Sequence, residues 1–158
     1  MIFVTLGSQK FQFNRLVKKI DELVSEGKIK DKVFAQIGYS DYEPQNYELK
    51  KFLDREEFAE KIEEADVVIT HGGTGAIIGA VKKGKKVIAV PRLAKYGEHV
   101  DNHQTQIIDQ FKELNLIEEC RNLEKLEYDI ENAVGKKYNS YISNTDKIID
   151  DIIGFIER

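Results

Sequence analysis

The sequence predicts a Rossmann-like α/β domain, a doubly wound parallel sheet, and three observations carry that expectation. Short, nearly continuous apolar runs at residues 2–6, 32–37, 67–70 and 86–91 have the composition of strands buried on both faces. Segments of helical apolar spacing separate them, and such alternation fits a parallel sheet covered by helices on both sides. At 158 residues and 41% hydrophobic, the chain is the size of one domain with one core, spanning 1–158.

Residues 2–6 form the first strand, bounded by Gly7-Ser8. Phe13, Leu16, Val17, Ile20, Leu23 and Val24 then recur at helical spacing, and Gly27 closes that helix. Residues 32–37 repeat the strand signal and end at Gly38, followed by a polar, tyrosine-bearing loop over 39–47. A brief strand is expected at 49–53, and residues 56–64 carry Phe58, Ala59 and Ile62 on one face of a short helix.

The strand 67–70 breaks into His71-Gly72-Gly73-Thr74-Gly75 and resumes as a helix over 76–83 that stops at Gly84. Residues 86–91 give the next strand, 92–100 a polar loop, and 101 to about 114 a helix with Asp101 or Asn102 available as its cap. The last strand is expected at 116–120, after which Asn122 caps a helix carrying Leu123, Leu126, Ile130 and Val134. Residues 138–158 bear an isoleucine stripe opposite acids and lysine, the pattern of an amphipathic helix that packs on its own sheet or docks a partner chain.

Charge narrows the function classes. With 28 acids against 24 bases the net charge is −4, which disfavours nucleic acid as a partner and bulk attraction to an anionic membrane. Any anion has to be held by a local site. The N-terminal run is too short for a signal sequence or a membrane span, and the single Cys120 suits a reducing compartment, so a cytoplasmic protein is expected.

Gly72, Gly73 and Gly75 allow a tight strand-to-helix turn whose backbone can come close to a ligand. The unpaired amides and dipole of the helix that follows make that turn a cradle for phosphate or diphosphate. Gly7 and Ser8, at the end of the first strand, open onto the same carboxyl edge of the sheet and form a second candidate cradle. A plain turn that uses glycine only for geometry stands beside this reading.

The segment Gly97-Glu98-His99-Val100-Asp101-Asn102-His103-Gln104 emerges at that edge too. Carboxylate, imidazole and amide groups from Asp101, His103 and Gln104 form a hydroxyl-reading set suited to a sugar. A metal site built from His71, His99 and His103 is the competing reading, weakened because Val100 stands where a zinc protease keeps its glutamate. Solvated loop histidines with no ligand are a further alternative. The later glycines of a dinucleotide fingerprint, a Walker lysine and a nucleophile triad are all missing.

The ordered set Phe3 to Ser8, Gln36-Ile37-Gly38, Ala65 to Gly75, and Pro91-Arg92 through Gly97 to Gln104 resembles the nucleotide-sugar-binding half of GT-B glycosyltransferases of family 28. The look is most like single-domain members that act on lipid-linked glycans, in the dolichol pathway and in bacterial exopolysaccharide synthesis. The resemblance implies that Gly7, Ser8, Gly72, Gly73, Thr74 and Gly75 hold the UDP diphosphate. It places residues 52–55 near the uracil, and Glu98, Asp101, His103 and Gln104 at the donor sugar. No cofactor or metal is expected, because the glycine loop and helix end stabilise the leaving diphosphate.

Many relatives keep a glutamate eight residues after this histidine to grip the ribose; here that position is Gly79, and Glu98 is the candidate replacement. A whole GT-B enzyme has two such domains. The resemblance therefore implies a donor-binding subunit that works with a membrane-associated, acceptor-binding partner on a lipid-linked glycan, in capsule or exopolysaccharide synthesis. The general base is expected on that partner, with His71 and His99 as candidates in this chain. A regulatory subunit that binds nucleotide without catalysing is the alternative, and a free-standing UDP-sugar epimerase or hydrolase is a third.

Overall fold

A computed structural model describes residues 1–7, 10–98 and 103–140, with the side chains of His103 and Gln104 outside the description. Six strands form one sheet: β1 (Ile2–Thr5), β2 (Val33–Gln36), β3 (Glu48–Lys50), β4 (Val67–Thr70), β5 (Lys86–Ala89) and β6 (Glu118–Glu119). Their order is β3-β2-β1-β4-β5-β6, and every neighbouring pair is parallel. The order reverses between β1 and β4. Their ends therefore part at a crevice on the carboxyl edge, the usual ligand site of open α/β sheets.

Alternation of side chains along each strand divides the core between two faces. Ile2, Val4, Val33, Ala35, Val67, Ile69 and Ile88 meet α1 (Asn14–Ser25) and α5 (Leu126–Gly135) on one side. Phe3, Phe34, Val68, Val87 and Ala89 meet α2 (Arg55–Glu64), α3 (Thr74–Lys82) and α4 (His103–Glu113) on the other. All four residues of β1, β2 and β4 are buried, which is why their sequence reads as unbroken apolar runs.

Several boundaries differ from the sequence expectation for physical reasons. Helix α3 starts at Thr74 rather than 76, because Gly73 already takes the extended N-cap conformation. The brief strand is Glu48–Lys50 rather than 49–53. A 3-10 turn at Leu123–Lys125 precedes α5, and Asn122 caps that turn by accepting from the Glu124 amide at 3.0 Å. Helical counting thus begins at Leu126, so Leu126, Ile130 and Ala133 face the sheet while Val134 is exposed. Residues 138–140 are not helical: the Asn139 amide donates to the Asn115 carbonyl at 2.8 Å, and the Tyr138 hydroxyl lies 2.9 Å from Glu118. The remainder of the expected C-terminal helix, 141–158, lies outside the described residues.

The loop over 39–47 is tied to α1 rather than left free. Asp21, 4% exposed, accepts from the Tyr42 hydroxyl, the amides of Gln45 and Asn46, and the Asn46 side chain, at 2.9 to 3.2 Å. Asn14 accepts from the amides of Asp41 and Tyr42, and the Tyr47 hydroxyl donates to the Val17 carbonyl at 2.8 Å. Burial alone would raise the Asp21 pKa, but the hydrogen bonds from Gln45, Asn46 and Tyr42 outweigh it and hold the carboxyl below its usual value.

A depressed folded-state pKa contributes stability above the unfolded value, near pH 3.9, and loses it as pH falls through the folded value. Asp21→Asn sets an amide donor against N–H donors and is expected to cost about 2 kcal/mol at neutral pH. Urea unfolding at several pH values checks this: the gap between wild type and variant should narrow from pH 7 to pH 3. A gap independent of pH would refute the ionised clamp.

Candidate functional site

Parallel strands deliver the loops that follow them to one carboxyl edge, and the two at the crevice meet through one side chain. His71 follows β4 directly and is 4% exposed. A Cβ on Gly7 would lie 2.7 Å from its Nε2, and one on Gly73 would lie 2.6 Å from its Cε1. No real side chain fits at either distance. The imidazole is thus a wedge between the turn after β1 and the turn after β4. Gly7 is also held at φ +70°, whereas Gly73 has an ordinary φ of −71° and needs to be glycine only because of the ring.

Helix α3 begins above this wedge with no side-chain cap and no acid in its first turn. Its leading amides therefore keep the partial positive charge of a helix start. A Cβ on Gly75, by contrast, would meet nothing within 4 Å, and Gly75 is exposed. Neither packing nor backbone strain asks for glycine there. Gly79 on the same helix is equally open, so the expected ribose-gripping position faces free space.

A second set of contacts fixes the loop after β5. Arg92 is 1% exposed; its Nη2 donates to the Leu6 carbonyl at 2.5 Å, and its Nη1 to the carbonyls of Phe11, Gln12 and Glu98 at 2.7, 3.3 and 3.3 Å. Burial lowers its pKa to about 10, with the Glu98 charge acting in the opposite sense, so it stays cationic at neutral pH. Arg15 grips the Glu98 carboxylate through Nε and Nη2, both at 3.0 Å, and lies over the Tyr96 ring. The Leu93 amide donates to the same carboxylate at 3.1 Å, and the Gln12 side chain to the Tyr96 carbonyl at 3.1 Å.

These contacts correct the expectation for Glu98. It is 1% exposed, and its carboxylate is engaged by Arg15 and Leu93 rather than directed at a ribose or sugar. The structure brings Gly7, His71, Gly72, Gly73, Thr74 and Gly75 together at the crevice. Ser8, His99 and Asp101 lie outside the described residues; His103 and Gln104 are placed only as the start of α4. The metal alternative of His71, His99 and His103 falls mostly outside the description, and among the described residues no group of three His, Cys, Asp or Glu could hold a metal ion.

Beside the crevice, the loops after β2 and β3 enclose a cavity of ≈ 500 Å3 lined by Gly38, Tyr39, Asp41, Pro44, Lys51 and Phe52 among others. Tyr39 and Phe52 are paired edge to face, 5.3 Å between ring centres, and both are largely exposed. Sequence reasoning reached Phe52 but missed Tyr39 and Arg92. A bulky aromatic directly after Gly38, and an arginine just past a mostly buried strand, are the signals that the sequence carries for them.

Comparison with known proteins agrees with this layout. The model of the glycosyltransferase family 28 C-terminal domain matches residues 1–152. UDP-N-acetylglucosamine transferase subunit ALG13 of Saccharomyces cerevisiae is 38% identical over 56 residues, 35% of this chain and 26% of that protein. ALG13 of Kluyveromyces lactis is 40% identical over 52 residues, 33% of this chain and 24% of that protein. The matched segment thus spans about a quarter of these relatives' length.

In fold, the chain is similar to the solution structure of ALG13, with TM-score 0.66 and 20% identity over 99% of this chain and 96% of that one. It is also similar to the glycosyltransferase SnogD from Streptomyces nogalater, with TM-score 0.60 and 16% identity over 99% of this chain but 39% of that one. The architecture is that of one half of a GT-B glycosyltransferase. Sheet order, the crevice glycines and the match over nearly the whole length agree, and the chain belongs to the glycosyltransferase family 28 C-terminal domain family.

Proposed function

We propose that this chain is the donor-binding, catalytic subunit of a two-chain, UDP-sugar-dependent inverting glycosyltransferase. Its acceptor is a polyprenyl-diphosphate-linked glycan, held by a membrane-associated partner, in capsule or exopolysaccharide synthesis. The observation that carries this reading is the crevice itself: Gly7 and Gly73 closed on His71, beneath an uncapped α3 start that carries no acid. A diphosphate is the ligand that such oriented, uncompensated amides suit. UDP-GlcNAc is the first donor to test, since the similar ALG13 proteins are named for it.

In this reading Gly7, Ser8, Gly72, Gly73, Thr74 and Gly75 hold the diphosphate. Tyr39 and Phe52 border the base, and Asp101, His103 and Gln104 face the sugar. The acceptor hydroxyl attacks the anomeric carbon as the bond to UDP breaks, and the cradle stabilises the charge arriving on the diphosphate. Metal is not required for that step. His71, walled in by two glycines, sets the spacing of the loops, and the acceptor's proton passes to a base on the partner. Among the described residues no helix is long and apolar enough to cross a membrane, so membrane contact is assigned to the partner.

Calorimetry with UDP and UDP-GlcNAc tests the reading, alone and with the partner; binding at millimolar concentration or tighter is expected, and none at all would remove it. Gly75→Ala separates ligand from fold. Nothing crowds that Cβ, so thermal stability should hold or rise, while UDP affinity should fall about tenfold if the diphosphate comes that close. Unchanged affinity would move the cradle elsewhere. Gly7→Ala should fail differently, losing both stability and binding, because its Cβ would strike His71 and its φ is left-handed. Substituting Asp101, His103 and Gln104 in the assembled complex should abolish turnover; undiminished turnover would favour a regulatory subunit.

A further inference from the structure

Arg92 does more than close a loop. It leaves β5 and reaches the turn after β1, two strands away, so its guanidinium bridges both flanks of the β4 turn. Its shortest contact, 2.5 Å, is to the carbonyl oxygen of Leu6, whose peptide continues into Gly7. That peptide is trans, so the Leu6 C=O and the Gly7 N–H point in opposite directions. With the oxygen held by a buried cation, the Gly7 N–H is directed away from Arg92, and it meets no acceptor among the described residues.

A cation on the carbonyl side of a peptide also draws electron density from its nitrogen, and hydrogen bonds linked in this way strengthen one another. Charge balance favours the same outcome. Glu98 is the carboxylate whose charge acts on Arg92, and it is gripped by Arg15, leaving the trio of Arg15, Arg92 and Glu98 one positive charge in excess beside the turn.

We propose that Arg92 is a positioning residue for anion binding: through the Leu6 carbonyl it orients and polarises the Gly7 amide as a donor to the diphosphate. The inference rests on the reading of Gly7 as part of a diphosphate cradle. Arg92 itself stays beneath the turn and touches no ligand. Lysine cannot replace it, because a single ammonium cannot reach the carbonyls of Leu6, Phe11 and Glu98 from one rigid fork.

The test compares UDP with uridine on wild type and Arg92→Lys, by calorimetry and by the amide resonances of 15N-labelled protein. In wild type, UDP should shift the Gly7 amide proton downfield and uridine should leave it in place. In Arg92→Lys, UDP affinity should fall about tenfold or more while uridine affinity is kept. Equal loss of both ligands, or no loss of UDP, overturns the inference while UDP binding to wild type upholds the proposed function. Should the variant fail to fold, the wild-type spectrum still decides, since a Gly7 amide that does not respond to UDP overturns the role of Arg92. A wild type that binds no UDP overturns the proposed function and this inference together.

Discussion

Two glycines and a histidine ring set the spacing of everything at the carboxyl edge. Because Nε2 and Cε1 of His71 occupy the volume that side chains at Gly7 and Gly73 would need, the turns after β1 and β4 approach to a distance only glycine permits. A six-stranded parallel sheet makes the approach possible by ending β1 and β4 side by side, in register from Ile2 with Val67 to Thr5 with Thr70. The crevice between them is thus a product of strand order, and its width is a product of one imidazole.

Around that wedge the described parts of two further loops are braced by side chains. Arg92, Arg15, Glu98 and Gln12 lock residues 11–15 to residues 91–98, and Asn14 and Asp21 lock the 39–47 loop to α1. Helix α1 takes part in both sets, so its face from Asn14 to Asp21 is the common support of two loops that border the crevice. Charged groups buried in this way stabilise only when their partners are complete, since removing one partner strands the other. Such a network fastens the described parts of both loops to α1, the kind of bracing that a pre-formed ligand site uses.

Much of this was legible in the sequence, and the failures share a cause. Strands β1, β2, β4 and β5 are covered on both faces, so burial writes itself into consecutive apolar residues and their parallel arrangement follows from the alternation with helices. The glycine turn was readable for the same reason, as local chemistry at adjacent positions. What could not be read was long-range. Arg92 and Leu6 stand 86 residues apart, and Arg15 and Glu98 stand 83 apart, so neither pair leaves a periodic trace. Glu98 is a natural candidate to replace the acid missing at Gly79, whereas its partner is Arg15 on α1. The register of α5 was lost to the 3-10 turn at Leu123–Lys125, which rotates the chain more per residue than the α-helix assumed for it.

Gly79 carries a consequence of a different kind. It lies within α3, where glycine is a poor helix former relative to alanine by about 1 kcal/mol, yet a Cβ placed on it would meet nothing within 4 Å. The helix therefore tolerates a conformational weakness that its packing does not demand. Replacing it with a residue of better helix propensity would firm the helix without a clash at the new Cβ. Such a change would add robustness on the helix that opens at the crevice without displacing the contacts that shape it.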